Sequence, residues 1–333
     1  MSNSFASTIT ALAVLALAPS SLGCSSSSSP SSAAQNDAST GGDVFAAPVE
    51  ASADDAADAG VEASTLDAAG IVAARPYTLH VPTGYVAGSP TPLVVMFHGY
   101  GVTGATQEAY FQLTNASDEH TYLYAYGDGT LDQTNSWFWN ATDACCDLYD
   151  VPVDDVQWFD AVVQDISSKY TVDPKRIFVV GHSNGGFMSH RLACDRSSTV
   201  AAIFSLAGAQ WDDLSHCEPT DKVSVVEIHG NADTTIDYDG GMTSEGTYPG
   251  APTTVADWAT RNGCTGPLAP NGQTYTIDTT LPPNQTVVQT YGGCPTGIDV
   301  ELWTINGGTH IPTLNQPAWG EYVWGFLSAH PKP

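Results

Sequence analysis

Basic residues are what this chain lacks most. Nine Lys plus Arg stand against 36 Asp plus Glu in 333 residues, a formal net charge of −27, and none of the nine precedes Arg75. So acidic a chain repels phosphate, which argues against nucleic acid and anionic membrane surfaces as partners. Long apolar runs are missing too. Ile9 to Ala18 is too short to span a bilayer, and no later stretch is longer and equally apolar. The cysteines and histidines show neither C-x-x-C nor H-x-x-x-H spacing. The usual zinc frameworks are therefore not expected, nor is any other metal or cofactor. There is no internal repeat.

The Ile9–Ala18 run has the length of a signal-peptide core, which gives residues 1–23 as a signal peptide. Ser21-Leu22-Gly23-Cys24 resembles a bacterial lipoprotein cleavage box, with Cys24 as the lipid-bearing residue. Residues 24–69 are mostly Ser, Ala, Asp and Gly and hold too few large apolar side chains to bury a core, so they read as a disordered linker. The expected location is secreted or at the cell surface, with the membrane touched only through that anchor.

From residue 70 to 333 the pattern changes. Apolar runs alternate with helical spacings: strands at 75–82, 92–97, 122–126, 177–180, 200–206, 223–229 and 299–305, and helices near 105–115, 155–170, 186–194, 255–261 and 317–328. This alternation predicts an α/β fold with a mostly parallel central sheet and helices on both faces.

The stretch that organises this domain is Arg176-Ile-Phe-Val-Val-Gly-His-Ser-Asn-Gly-Gly-Phe-Met-Ser189. It reads as a buried strand, a G-x-S-x-G turn and a helix. Chance can produce the five-residue motif in a chain rich in Gly and Ser; the strand before it and the helix after it give it meaning. A serine on so sharp a turn has room only if its −2 and +2 neighbours, Gly181 and Gly185, carry no side chain. Ser183 is then the candidate nucleophile, exposed at a helix N-terminus that favours a developing anion.

A serine hydroxyl needs a base, and this topology orders the partners as Ser, acid, His. His310 follows the last strand in Asn306-Gly-Gly-Thr-His310, whereas His330 lies in a Pro-flanked tail expected to fray. The acid belongs after strand 223–229, where Asp233 is favoured over Asp237, a candidate turn residue. His229 is expected to pack or hydrogen-bond beside that loop. For the oxyanion, the backbone N–H of Asn184 and that of Tyr100, in His98-Gly-Tyr-Gly101, are the candidate donors, with His98 holding the loop.

These residues carry a resemblance. Arg75-Pro-Tyr-Thr-Leu-His-Val-Pro82, Phe97-His-Gly99, Ala144-Cys-Cys146, Val153-Asp-Asp-Val156, Val172 through Ser189, His229-Gly-Asn-Ala-Asp233 and Gly307-Gly-Thr-His310 occur in the order seen in secreted feruloyl esterases and polyhydroxybutyrate depolymerases. The chain thus resembles that group, which is related to carbohydrate esterase family 1 in the α/β-hydrolase superfamily. The resemblance implies an α/β-hydrolase fold and the set Ser183, Asp233 and His310. It implies an ester substrate, polymeric or hydroxycinnamoyl. Feruloyl esterase activity leads, a 3-hydroxybutyrate polyester depolymerase is the alternative, and a non-catalytic polymer-binding lipoprotein is the rival from another class.

Trp137, Trp139 and Trp211 fall on loops at strand ends and, with His98, are candidate substrate contacts. Six cysteines besides Cys24 suggest disulfides in an exported chain. Cys264 is expected to pair with Cys294 across a polar loop. Cys145 and Cys146 are expected to pair with Cys194 and Cys217, since adjacent cysteines seldom bond to each other.

Overall fold

The computed structural model describes residues 67–333. The expected signal peptide, Cys24 and all but the last residues of the expected linker lie outside them. The first element is α1 (Ala68–Ala74), capped by the Asp67 side chain. Strands β1 (Tyr77–His80), β2 (Thr91–Phe97), β3 (Leu123–Gly127), β4 (Val172–His182), β5 (Ala202–Leu206), β6 (Ser224–Gly230), β7 (Leu268–Tyr275), β8 (Thr286–Tyr291) and β9 (Val300–Ile305) form one nine-stranded sheet. Its order is β1-β3-β2-β4-β5-β6-β9-β8-β7. The six strands from β3 to β9 in that order pair in parallel, while β1 on one side and β8 and β7 on the other are antiparallel.

The continuous apolar runs follow from burial on both faces. In β2, Leu93, Val95 and Phe97 enter one core while Val94 and Met96 enter the other. The first core is covered by α1, α4 (Asp155–Lys169), α5 (Asn184–Asp195) and α6 (Ala251–Asn262). The second is covered by α2 (Gly104–Phe111), α3 (Leu113–His120) and α7 (Ala318–Ala329). The helix expected over 105–115 is in fact two, because Gln112 takes a left-handed conformation (φ 55°) and the Glu108 carboxylate accepts from the Leu113 and Thr114 N–H groups beyond it. No helix among the described residues is long and apolar enough to cross a membrane.

Three further expectations are corrected. The segment between Cys264 and Cys294 is not a polar loop: it holds β7 and β8, which extend the sheet antiparallel. β7 is exposed along most of its length, so no apolar alternation marked it. Cys264–Cys294 is bonded as expected, but the other pairs are Cys194–Cys217 and Cys145–Cys146. The end of α5 meets the turn at Leu214–His216, bringing the Cα atoms of Cys194 and Cys217 to 5.3 Å and leaving the adjacent pair to each other. His330 is not in a frayed tail. It is buried, with its ring bonded to the Phe326 carbonyl at 2.7 Å and to Asp299 at 2.8 Å.

Candidate active site

β4 ends at His182, and Ser183 makes the turn into α5 with φ 55° and ψ −121°, a conformation that L-residues hold only when their surroundings impose it. Here Ser183 N–H donates to the Leu206 carbonyl at 2.8 Å and its own carbonyl accepts from Phe187. The flanking glycines permit the crossing: a Cβ on Gly181 would lie 1.9 Å from the Gly185 carbonyl oxygen, and one on Gly185 would lie 2.1 Å from that of Phe97.

Ser183, His310 and Asp233 come from loops after β4, β9 and β6, all at the carboxyl edge of the sheet, where open α/β sheets bind ligands. They form one hydrogen-bonded chain. His310 Nε2 lies 2.8 Å from Ser183 Oγ, and Nδ1 lies 2.7 Å from Asp233 Oδ2. The other carboxylate oxygen of Asp233 accepts from Thr235 and Ile236 N–H. Burial opposes the charge on Asp233, but the hydrogen bonds from His229 and His310, joined by that of Thr235, outweigh it and hold the carboxyl well below the usual range. Asp237 stays outside this chain; its N–H donates to the Tyr248 hydroxyl.

On the other side of Ser183, Gly99 N–H donates to Gln107 Oε1 and Gly101 N–H to the Trp137 carbonyl. The N–H groups of Tyr100 and Asn184 have no partner among the described residues. The Asn184 side chain is fully engaged, pairing with both the N–H and the carbonyl of Trp139 at 2.7 and 2.8 Å. His98 secures the loop: Gly129 N–H donates to its Nε2, so its Nδ1–H donates to the Gly99 carbonyl. Burial pushes its pKa down to about 4, and the ring stays neutral.

The pocket over Ser183 encloses roughly 300 Å³ and is mostly apolar, with Val102, Tyr110, Ile311 and the ring of His182 among its walls. Of the four proposed substrate contacts none lines it. His98 and Trp139 are wholly buried; Trp139 packs on Phe97 and Trp158 at ring distances of 4.8 and 5.1 Å. Both are core and loop supports, beyond the reach of a ligand. Trp137 contributes its carbonyl to the Gly101 turn. Trp211 borders a different cavity, about 740 Å³, with Asp143, Asp147 and Glu245.

Sequence reasoning passed over His182, Tyr110 and Gln107, whereas Ile311 follows His310 directly and lines the pocket with it. His182 donates from Nε2 to the His310 carbonyl at 3.0 Å, and its burial lowers its pKa to about 4. Its place beside the serine in G-H-S-N-G was the available signal. Tyr110 and Gln107 stand on α2 and carried none. Glu119, His120 and Glu321 bring ligand-type atoms within 4.8 Å of one another at the α3–α7 surface, apart from this pocket, and His120 is already bonded to Glu321 there.

The nine-stranded, mostly parallel sheet with helices on both faces has the α/β-hydrolase fold. Residues 86–251 match the family described as Phospholipase/Carboxylesterase. Over 254 residues the chain is 30% identical to feruloyl esterase B of Piromyces equi, a match that covers 74% of this chain and 44% of that protein; it thus spans less than half the length of this relative. It is 27% identical over 266 residues to feruloyl esterase D of Neurospora crassa, covering 76% of this chain and 81% of the relative. Among solved structures, the acetyl xylan esterase from Aspergillus awamori superposes with a TM-score of 0.54 at 15% identity, over 76% of this chain and 93% of that one, a likeness of fold.

Proposed function

We propose that this protein is an exported serine carboxylic-ester hydrolase of the feruloyl-esterase type. The observation that carries the reading is the unbroken Ser183–His310–Asp233 chain at 2.8 and 2.7 Å, opening on an apolar pocket beside two unpaired N–H groups. Ser183 Oγ attacks the ester carbonyl as His310 Nε2 takes its proton. The Nδ1–H of His310 donates to Asp233, which orients the ring and stabilises the imidazolium. The oxyanion is received by the N–H groups of Tyr100 and Asn184. His310 then protonates the leaving alcohol, takes a proton from water and directs the resulting attack on the acyl-enzyme, which frees the acid and Ser183. A pocket of this volume with apolar walls suits an aromatic acyl group, in line with the feruloyl esterases among its relatives. Export is supported by the leader-like start and by three disulfides.

The test compares hydrolysis of methyl ferulate with that of a short 3-hydroxybutyrate oligomer. A strong preference for the ferulate is expected; preference for the oligomer would make the protein a polyester depolymerase. Ser183→Ala should lower kcat on the order of 10⁴-fold or more with folding intact, and a fluorophosphonate probe should label the wild type and not the variant. Ester hydrolysis retained by that variant sinks the assignment. An intact wild type that neither turns over esters nor takes the probe would favour the binding-protein reading.

A further inference from the structure

Behind Asp233 lies a second set of ionisable groups that ester hydrolysis leaves without a task. Glu227 on β6 is fully buried. Three N–H groups point at its carboxylate: His190 Nε2 at 3.0 Å, His229 Nδ1 at 3.0 Å and the Gly208 N–H at 3.1 Å. His190 Nδ1 accepts from Trp258 Nε1–H at 3.0 Å, so that ring carries one proton and is neutral. His229 differs. Its Nδ1 faces Glu227 and its Nε2 faces the Ile236 carbonyl at 2.9 Å, with Asp233 Oδ2 at 3.4 Å. With Glu227 ionised, every one of these neighbours is an acceptor, and the ring meets them only by carrying both protons.

We propose that His229 is a positioning residue, an imidazolium clamped between Glu227 and Asp233 that weakens the negative field Asp233 presents to His310 and so sets the acid limit of the reaction. The inference rests on the esterase reading of Ser183, His310 and Asp233. A cation 3.4 Å from Asp233 opposes the negative field that Asp233 exerts on His310. A weaker field stabilises positive charge on the His310 ring less. Burial alone would discharge His229, but the hydrogen bonds to Asp233 and Glu227 reverse this and raise its pKa to about 9, while Glu227 is held low by His190 and His229 against the same burial. The other ionisable groups facing His229 are Tyr238 on the following loop, His182 at the end of β4, His310 beyond Asp233, and His190 of α5 acting through Glu227. Tyr238 lies edge-on at 5.9 Å with its hydroxyl bonded to Thr304.

The test is a pair of measurements on the full chain, wild type and His229→Gln. One is the pH profile of kcat/KM on 4-nitrophenyl acetate; the other is the histidine ring ¹⁵N–¹H spectrum across pH. In the wild type, His229 is expected to hold both ring protons at pH about 8, well above the ordinary histidine range. In the variant, the acid limb and the His310 titration midpoint should both move up by about half a pH unit or more, a three-fold loss of kcat/KM on the acid limb, with the alkaline plateau much less affected. A singly protonated His229 at that pH, or a uniform loss of activity with limb and midpoint unmoved, overturns the proposal. Glu227→Gln, which keeps the side chain's shape, is read in the same way if the first variant does not fold; there the second His229 proton should be lost near neutrality. The spectra do not depend on turnover. A chain inactive on esters whose His310 midpoint still responds to His229 refutes the esterase reading alone.

Discussion

Side chains of one chemical type do opposite work here according to what surrounds them. Trp139 and Trp137 stand two residues apart, yet the first is sealed between Phe97, Trp158 and the Arg75 guanidinium and the second is only half-buried. Trp139→Ala is expected to lower stability by about 3–5 kcal/mol, as for other buried tryptophans, with KM for any ester that still turns over little changed. Denaturant unfolding and steady-state kinetics separate the two outcomes; a normal Tm with a raised KM would restore Trp139 as a substrate contact. The histidines divide in the same way: His98 and His182 are buried with one donor role each and stay neutral, while His229 is enclosed by acceptors.

At the scale of elements, the site depends on how strands end. Four loops at the carboxyl edge meet because β2, β4, β6 and β9 are parallel members of one sheet, and the approach of α5 to β2 is set by the absence of a Cβ at Gly185. The antiparallel pair β7–β8 sits farther out, bracketed by Cys264 and Cys294, 30 residues apart. Opening a loop of that length relaxes the unfolded chain by roughly 3–4 kcal/mol. Cys264→Ser with Cys294→Ser should lower unfolding stability by about that much while kcat on a soluble ester stays within two-fold, since neither cysteine lines the Ser183 pocket. A matching loss of kcat would instead tie this hairpin to the site.

For the whole molecule, the buried histidines make stability depend on pH. His98 and His182 titrate near pH 4 when folded and near 6.5 when unfolded. A depressed folded pKa means that the stability is present above about 6.5 and is lost as pH falls towards 4, roughly 3 kcal/mol for each buried ring. His229 has the opposite sign: with a folded pKa of about 9 its contribution is full below 6.5 and is lost as pH rises through 9. Thermal unfolding across pH should therefore show a maximum of Tm near about pH 6.5–7, falling towards about 4 on one side and about 9 on the other. A Tm that held constant from pH 7 to 4.5 would contradict the buried neutral rings.

Much of this was legible in the residues. Strands buried on both faces announce themselves by unbroken apolar runs, as in Leu93–Phe97 and Ile177–Val180, and the G-x-S-x-G turn by glycines that sterics demand. Ser183, Asp233 and His310 could be named from chain order because the topology allows few others. The pairing of the cysteines was decided only when α5 and the Leu214–His216 turn came together. β7 is a strand because of its neighbour β8, not because of its own pattern. The pocket wall Tyr110, and the clamp of Glu227 and Asp233 on His229, join residues far apart along the chain or on opposite sides of a strand end. Local sequence determines which segments must be buried and which turns are sterically possible; which side chains then face one another, and so which protons they hold, is a property of the packed whole.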